Sequence, residues 1–128
     1  MERGDDRLKI KLQLCCGDEI AMGPGKAELL EAIGREGSIS AAGRALGMSY
    51  RRAWLLVDAM NRCWDQPLVE TAPGGKHGGG ARVSQLGQSV LAQYRALQAD
   101  VWVASQGEPL AALGAALRKA PRGSQNES

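Results

Sequence analysis

Residues 37–61, GSISAAGRALGMSYRRAWLLVDAMN, carry two helices and the turn between them. Ser38 or Ser40 can cap a short helix and Ser49 a longer one, because a serine hydroxyl accepts a hydrogen bond from a first-turn N–H that has no partner in the helix. Gly47-Met-Ser49 is a tight turn, and Ala41, Ala42 and Ala45 are small enough to let the first helix lie close against the second. A short helix, a glycine turn and a longer helix follow the order of a helix-turn-helix unit. Projecting residues 50–64 at about 100° per residue puts Tyr50, Ala53, Val57, Met60 and Trp64 on one side as a core stripe, with Trp54 at its margin. Arg51, Leu55, Asp58 and Arg62 fall on the opposite side, flanked by Arg52. Arg51 and Arg52 therefore point outward from the N-terminal end of the helix, the end that meets base edges when such a helix enters the major groove of DNA.

Downstream, residues 67–70 and 81–83 read as short strands joined by a glycine-rich loop, with PGGKHGGGAR at residues 73–82. Strand, loop and strand directly after the second helix make the wing of a winged helix-turn-helix fold. A nucleotide cradle is the competing reading of the loop, and it fails on spacing. His77 follows Lys76 where a P-loop needs Ser or Thr, Glu70 occupies the first glycine position, and Val83 stands where a third dinucleotide-binding glycine is required. Ser84 can cap a long helix running to about residue 105. Val90, Tyr94, Leu97, Val101 and Ala104 step by four, three, four and three, a coiled-coil-like seam widened by Leu86, Leu91 and Trp102. The seam reads as a homodimer interface through Val90, Tyr94, Leu97 and Val101, with packing inside one chain as the alternative. A shorter helical pattern starts at Glu108-Pro109, with Leu110, Leu113 and Leu117 on one face. The expected organisation is a winged-helix domain with its dimerisation helix over residues 1–106, a short helix over 107–120 and a disordered tail over 121–128.

Upstream, residues 7–14 alternate charged or polar side chains with Leu8, Ile10, Leu12 and Leu14, the period of a half-buried strand. Residues 18–22 supply a hairpin return, and Gly23-Pro24-Gly25 breaks the chain. Residues 26–36 then form a helix with Leu29, Leu30 and Ile33 on one face, closed by Gly37. The fold class is mainly α (α+β).

The chain has 128 residues, no Phe and 4% aromatic residues, so one small domain must build its core on Leu, Val, Ile, Ala and a few Trp. A core of that size gains from burial against a second copy. Net charge is only +2, but its distribution is uneven. Residues 37–57 hold Arg44, Arg51 and Arg52 without an acid, and residues 71–99 hold Lys76, Arg82 and Arg95 without an acid. Such segregation suits a polyanion-binding face. Cys15, Cys16 and Cys63 are odd in number with two adjacent, against a disulfide framework. With no signal peptide or long apolar span, the expected setting is the reducing cytoplasm, without a membrane partner. The cysteines and the single His77 lack the spacing of a metal site, and no nucleophile has an orienting base, so neither a metal nor an enzymatic activity is expected.

GSISAAGRALGMSYRRAWLLVDAMN followed by PLVETAPGGKHGGGARVSQLGQSVLAQY at residues 67–94 resembles the N-terminal DNA-binding domain of ModE-type molybdate-responsive regulators. The match covers residues 26–97, and its most specific parts are GSIS, MSYRRAW, LVE, the GGKxGGG loop and the LGQ after it. A looser likeness extends to the helix-turn-helix of LysR-type regulators. The resemblance implies a homodimer whose second helices enter major grooves of double-stranded DNA. Ser49, Tyr50, Arg51 and Arg52 match the start of that helix, and residues 74–80 with Lys76 match the wing. Full-length members bind molybdate in C-terminal domains. Residues 98–128 lack the length and strand pattern for a molybdate-binding barrel, so no cofactor is expected and the signal would reach the chain through a separate effector-sensing protein.

The reading is thus a DNA-binding transcriptional regulator of molybdate-transport or molybdoenzyme genes. Ser38, Ser40, Ser49, Tyr50, Arg51, Arg52, Lys76, His77 and Arg82 are its expected DNA contacts. Two other classes compete with it: a winged-helix protein-interaction module, and a small-ligand or redox sensor acting through the dimer interface or the Cys15-Cys16 pair.

Overall fold

A computed structural model describes residues 7–72 and 79–124. Its elements in order are β1 (Leu14–Cys16), β2 (Glu19–Met22), α1 (Pro24–Glu36), α2 (Ile39–Ala45), α3 (Tyr50–Cys63), β3 (Val69–Thr71), β4 (Ala81–Val83), α4 (Gln85–Ser105) and α5 (Glu108–Ala116). The protein is helix-rich α+β, with β1–β2 and β3–β4 as separate two-stranded antiparallel sheets. It divides into two units, Lys11–Gln98 and a smaller one of residues 7–10 with 99–124.

In the larger unit, Gly17 turns the first hairpin at φ +59°, and Cys16 pairs with Glu19. The strand expected over residues 7–14 is corrected to Leu14–Cys16. The alternation survives as burial, with Leu8, Ile10 and Leu12 half-buried and Lys9, Lys11 and Gln13 exposed. The ladder ends at Leu14 because β2 offers only four residues, the last of them, Met22, already paired with Leu14 across a register shift.

Pro24 sits in the first turn of α1, where its missing N–H costs nothing, so the helix starts two residues before the expected Lys26. Ala27, Leu29, Leu30, Ala32 and Ile33 form its buried face. Gly37, left-handed at φ +80°, ends it by donating its N–H to the Ile33 carbonyl. The Ser38 hydroxyl accepts from the Ala41 N–H at the start of α2, and the Ser49 hydroxyl accepts from the Arg52 N–H at the start of α3. Between them Gly47 turns the chain at φ +70°. The close approach of α2 to α3 rests on Ala42, which is buried, and on Gly43, where an added Cβ would lie 3.3 Å from the Ala53 Cβ. Ala45, expected at that contact, is exposed.

Ala53, Val57 and Met60 bury the inner face of α3 as the helical projection predicts. Tyr50 does not join them. It is 57% exposed, because it is the first residue of α3 and lies beyond the cover of the core. Trp64 is half-buried and donates its Nε1–H to the Ala21 carbonyl at 3.1 Å. The core gathers Met22, Leu29, Leu30, Ile33, Val57, Met60, Leu68 and Tyr94.

Asn61 ties α3 to β3. Its Oδ1 accepts from the Leu68 and Val69 N–H groups at 2.9 and 3.1 Å, and its Nδ2 donates to the Val69 carbonyl at 3.1 Å. Asn61→Ala leaves these half-buried backbone groups without their partners and is expected to cost about 2 kcal/mol, read as a lower denaturant midpoint at unchanged slope. β3 and β4 pair Val69 with Val83 and Glu70 with Arg82. Two backbone bonds fix the two ends of this pair: Ala81 N–H to the Gly37 carbonyl at 2.8 Å at the loop end, and Ser84 N–H to the Leu68 carbonyl at 2.8 Å at the base.

The Ser84 hydroxyl accepts the Gly87 N–H and so caps α4 as expected. Val90 and Tyr94 pack into the core of this unit, and the Tyr94 hydroxyl donates to the Leu12 carbonyl at 2.7 Å. Burial pushes the Tyr94 phenol up from its usual range, keeping it protonated as a donor. In the smaller unit, Arg7 Nη1 donates to the Gly114 carbonyl at 3.1 Å. Leu113 and Leu117 are exposed and Leu110 is half-buried. Among the described residues, no helix is long and apolar enough to cross a membrane.

Candidate functional site

The first turn of α3 is built by local chemistry. Ser49 fixes its backbone by capping, and the first turn contains no acid. Arg51 and Arg52 both project from it, exposed, and among the described residues neither guanidinium pairs with a carboxylate. Asp58, the acid on the same outer face, bonds Arg62 Nε at 2.9 Å one turn further on. Arg62 Nη2 also reaches Glu19 Oε1 at 2.9 Å, and the bonds to Glu19 and Asp58 hold its pKa above the usual arginine value. The negative charge on the outer face is therefore matched at the far end of the helix, and the positive charge at its near end stands alone.

Beside that turn lies an open groove of about 480 Å³. Ser38, Ile39, Ser40 and Arg44 of the α2 region form one wall, Tyr50 and Trp54 of α3 another, and Thr71, Ala72 and residues 79–81 of the β3–β4 pair a third. Among the described residues, no carboxylate lines it. The Tyr50 and Trp54 rings meet edge to face with centroids 6.2 Å apart, and both are substantially exposed. Hydroxyls, the Arg44 guanidinium and aromatic edges thus face a shared concavity.

Of the expected contact residues, Ser38, Ser40 and Tyr50 line this groove, and Ser49, Arg51 and Arg52 stand at the head of α3. Arg82 lies apart from them. It bonds Glu70 at 3.2 Å on the facing strand and lines the grooves beside Gly37 and beside α1 and α4. A surface pair of this kind holds its arginine only weakly. Lys76 and His77 lie outside the described residues. Of the seam residues, Val90 and Tyr94 are buried within the chain, Val101 is half-buried and Leu97 is 39% exposed.

Arg44, Trp54 and Thr71 are groove residues that sequence reasoning did not place there. Two of them carried a signal: Arg44 follows Ser40, and Trp54 follows Tyr50, by four residues, the spacing that stacks side chains on one helical face. Thr71 carried none. Among the described residues, no group of three or more His, Cys, Asp or Glu is placed to hold a metal ion.

No family model matches the chain. Individual proteins do. The chain is 51% identical over 80 residues to the molybdenum-pterin-binding protein MopB of Rhodobacter capsulatus, a match spanning 62% of this chain and 30% of that protein. It is 41% identical over 80 residues to the molybdenum transport protein ModE of Azotobacter vinelandii, again 62% of this chain and 30% of that protein. With the DNA-binding transcriptional dual regulator ModE of Escherichia coli K12 the identity is 36% over 118 residues, 88% of this chain and 44% of that protein. The chain thus spans less than half the length of these relatives. Across the aligned residues, which contain the capped α2–α3 pair and its arginines in the longest match, the chain belongs to the family of ModE-type regulators.

Proposed function

We propose that the chain is a cytoplasmic, sequence-specific transcriptional regulator that binds duplex DNA as a homodimer and acts on molybdate-transport or molybdoenzyme genes. In this reading α2, the Gly47 turn and α3 form the helix-turn-helix, α3 is the recognition helix, and β3, β4 and the loop carrying Lys76 and His77 form the wing of a domain over residues 1–106. Arg51 and Arg52 meet bases or phosphates at the mouth of the major groove. Ser38, Ser40, Ser49 and Tyr50 position the DNA backbone, while Lys76, His77 and Arg82 meet phosphates from the wing. The dimer forms along α4 through Leu97 and Val101, with Val90 and Tyr94 supporting that face from within the core.

The observation carrying the proposal is the exposed Arg51–Arg52 pair, free of carboxylate partners among the described residues, at the capped start of α3 beside a groove without acids. Titrating labelled genomic duplex fragments at two salt concentrations tests it. Affinity should fall as salt rises, with a logarithmic slope of about −0.9 per phosphate neutralised. Binding that is absent, or indifferent to salt, overturns the reading. A second reading, molybdenum-pterin binding, draws on the 51% and 47% identities to proteins named for that ligand. Calorimetric titration with molybdate and with a molybdenum-pterin separates it from the first.

A further inference from the structure

Cys16 closes β1 and stands opposite Glu19 in the hairpin ladder. Facing residues of an antiparallel pair share one side of the sheet. Glu19 Oε1 holds Arg62 Nη2 at 2.9 Å, and Arg62 directly precedes Cys63, the last residue of α3. Trp64 Nε1 bonds the Ala21 carbonyl at 3.1 Å, a second tie between the same hairpin and the same helix end. Both ties hold the end of α3 that carries Cys63 against the hairpin that carries Cys16. Burial first, then the Cys16 side chain, pushes the Cys63 thiol up. Cys15 pairs with Ile20 and, as the preceding strand residue, points to the other side of the sheet. Cys16 is exposed and Cys63 is half-buried, both as free thiols.

We propose that Cys16 and Cys63 are a peroxide-reactive dithiol that closes to an intrachain disulfide, tying the β1–β2 hairpin to the C-terminal end of α3. Exposed Cys16 meets the oxidant. Its thiolate sulfur attacks one oxygen of hydrogen peroxide, the O–O bond breaks, and the departing hydroxide takes up a proton to become water. Cys63 Sγ then attacks the sulfenic sulfur of Cys16. The S–O bond breaks and the hydroxyl leaves with the Cys63 proton as a second water. Two thiols are oxidised by two electrons in total, and one peroxide is reduced to two waters. The site is independent of the DNA-binding reading.

The test treats the whole chain, folded, with hydrogen peroxide, then blocks free thiols, digests with trypsin and maps the peptides by mass. Wild type and Cys15→Ser should each lose two hydrogens per chain and give one cross-linked pair, residues 12–26 joined to residues 63–76, released by dithiothreitol. Cys16→Ser and Cys63→Ser should give no such pair. The proposal is overturned if wild-type cysteines remain alkylable or proceed to sulfinic acids without the cross-link. It is equally overturned if the cross-link persists in Cys16→Ser, or if it joins only separate copies in the intact mass. The wild-type map alone can reject it, so the outcome does not hang on any variant folding.

Discussion

Replacing Arg51 and Arg52 together by alanine should weaken binding to a selected duplex on the order of a hundredfold and flatten the salt slope by about two. Both guanidinium groups project from a turn whose backbone is held by Ser49, and alanine keeps the Arg52 N–H that Ser49 accepts. The fold loses no described ion pair in the exchange. Exposed substitutions of this kind usually stay within about 0.5 kcal/mol of wild type, so a thermal melt should hardly move. The loss therefore belongs to the complex. Fluorescence anisotropy at two salt concentrations, beside the melt, separates the two effects. If the double variant matches wild type in both affinity and slope, α3 does not present its first turn to DNA. Arg82→Ala supplies the comparison: its guanidinium is already shared with Glu70, so it should flatten the slope by less than one.

What the sequence revealed follows the range of the forces involved. Caps and stops are local chemistry, so Ser38, Ser49, Gly37 and Gly47 could be placed from neighbours within four residues, and each performs the expected task. The inner face of α3 was legible as periodicity. Tyr50 shares that periodicity and is nevertheless exposed, because an angular projection does not say where along its axis a helix leaves the core. The β1 strand failed in the complementary way: alternation records which side chains are covered, whereas a ladder needs a partner strand of equal length. The spacing from Val90 to Val101 marks apolar positions at helical intervals, but spacing does not distinguish a chain's own core from a second copy. Val90 and Tyr94 are in the core. The groove was the least legible feature. Its walls come from α2, α3 and the β3–β4 pair, and only tertiary packing brings Arg44, Trp54 and Thr71 together.

Gly87→Ala should be the most damaging small substitution in the fold, at a net cost of about 3 kcal/mol and roughly 10 °C or more in melting temperature. Helix propensity alone argues the reverse, since alanine in place of glycine favours a helix by about 1 kcal/mol. Packing decides the sign. A Cβ at Gly87 would lie 2.4 Å from the Leu68 carbonyl oxygen and 2.7 Å from Val83 Cγ1. A flexible side-chain tip could move aside, but this obstacle is backbone held from two directions. The Leu68 carbonyl accepts the Ser84 N–H at 2.8 Å, and the Leu68 N–H donates to Asn61 Oδ1 at 2.9 Å. The Leu68 side chain is wholly buried in the core as well. Relief therefore requires the start of α4 to lift away, which strains the Ser84 bonds at the base of the β3–β4 pair. Gly25→Ala in α1 isolates the propensity effect, because an added Cβ there meets nothing within 4 Å. That variant should melt at or slightly above wild type. A Gly87→Ala chain that melted with it would mean that α4 does not approach the Leu68 carbonyl closely enough to exclude a methyl group.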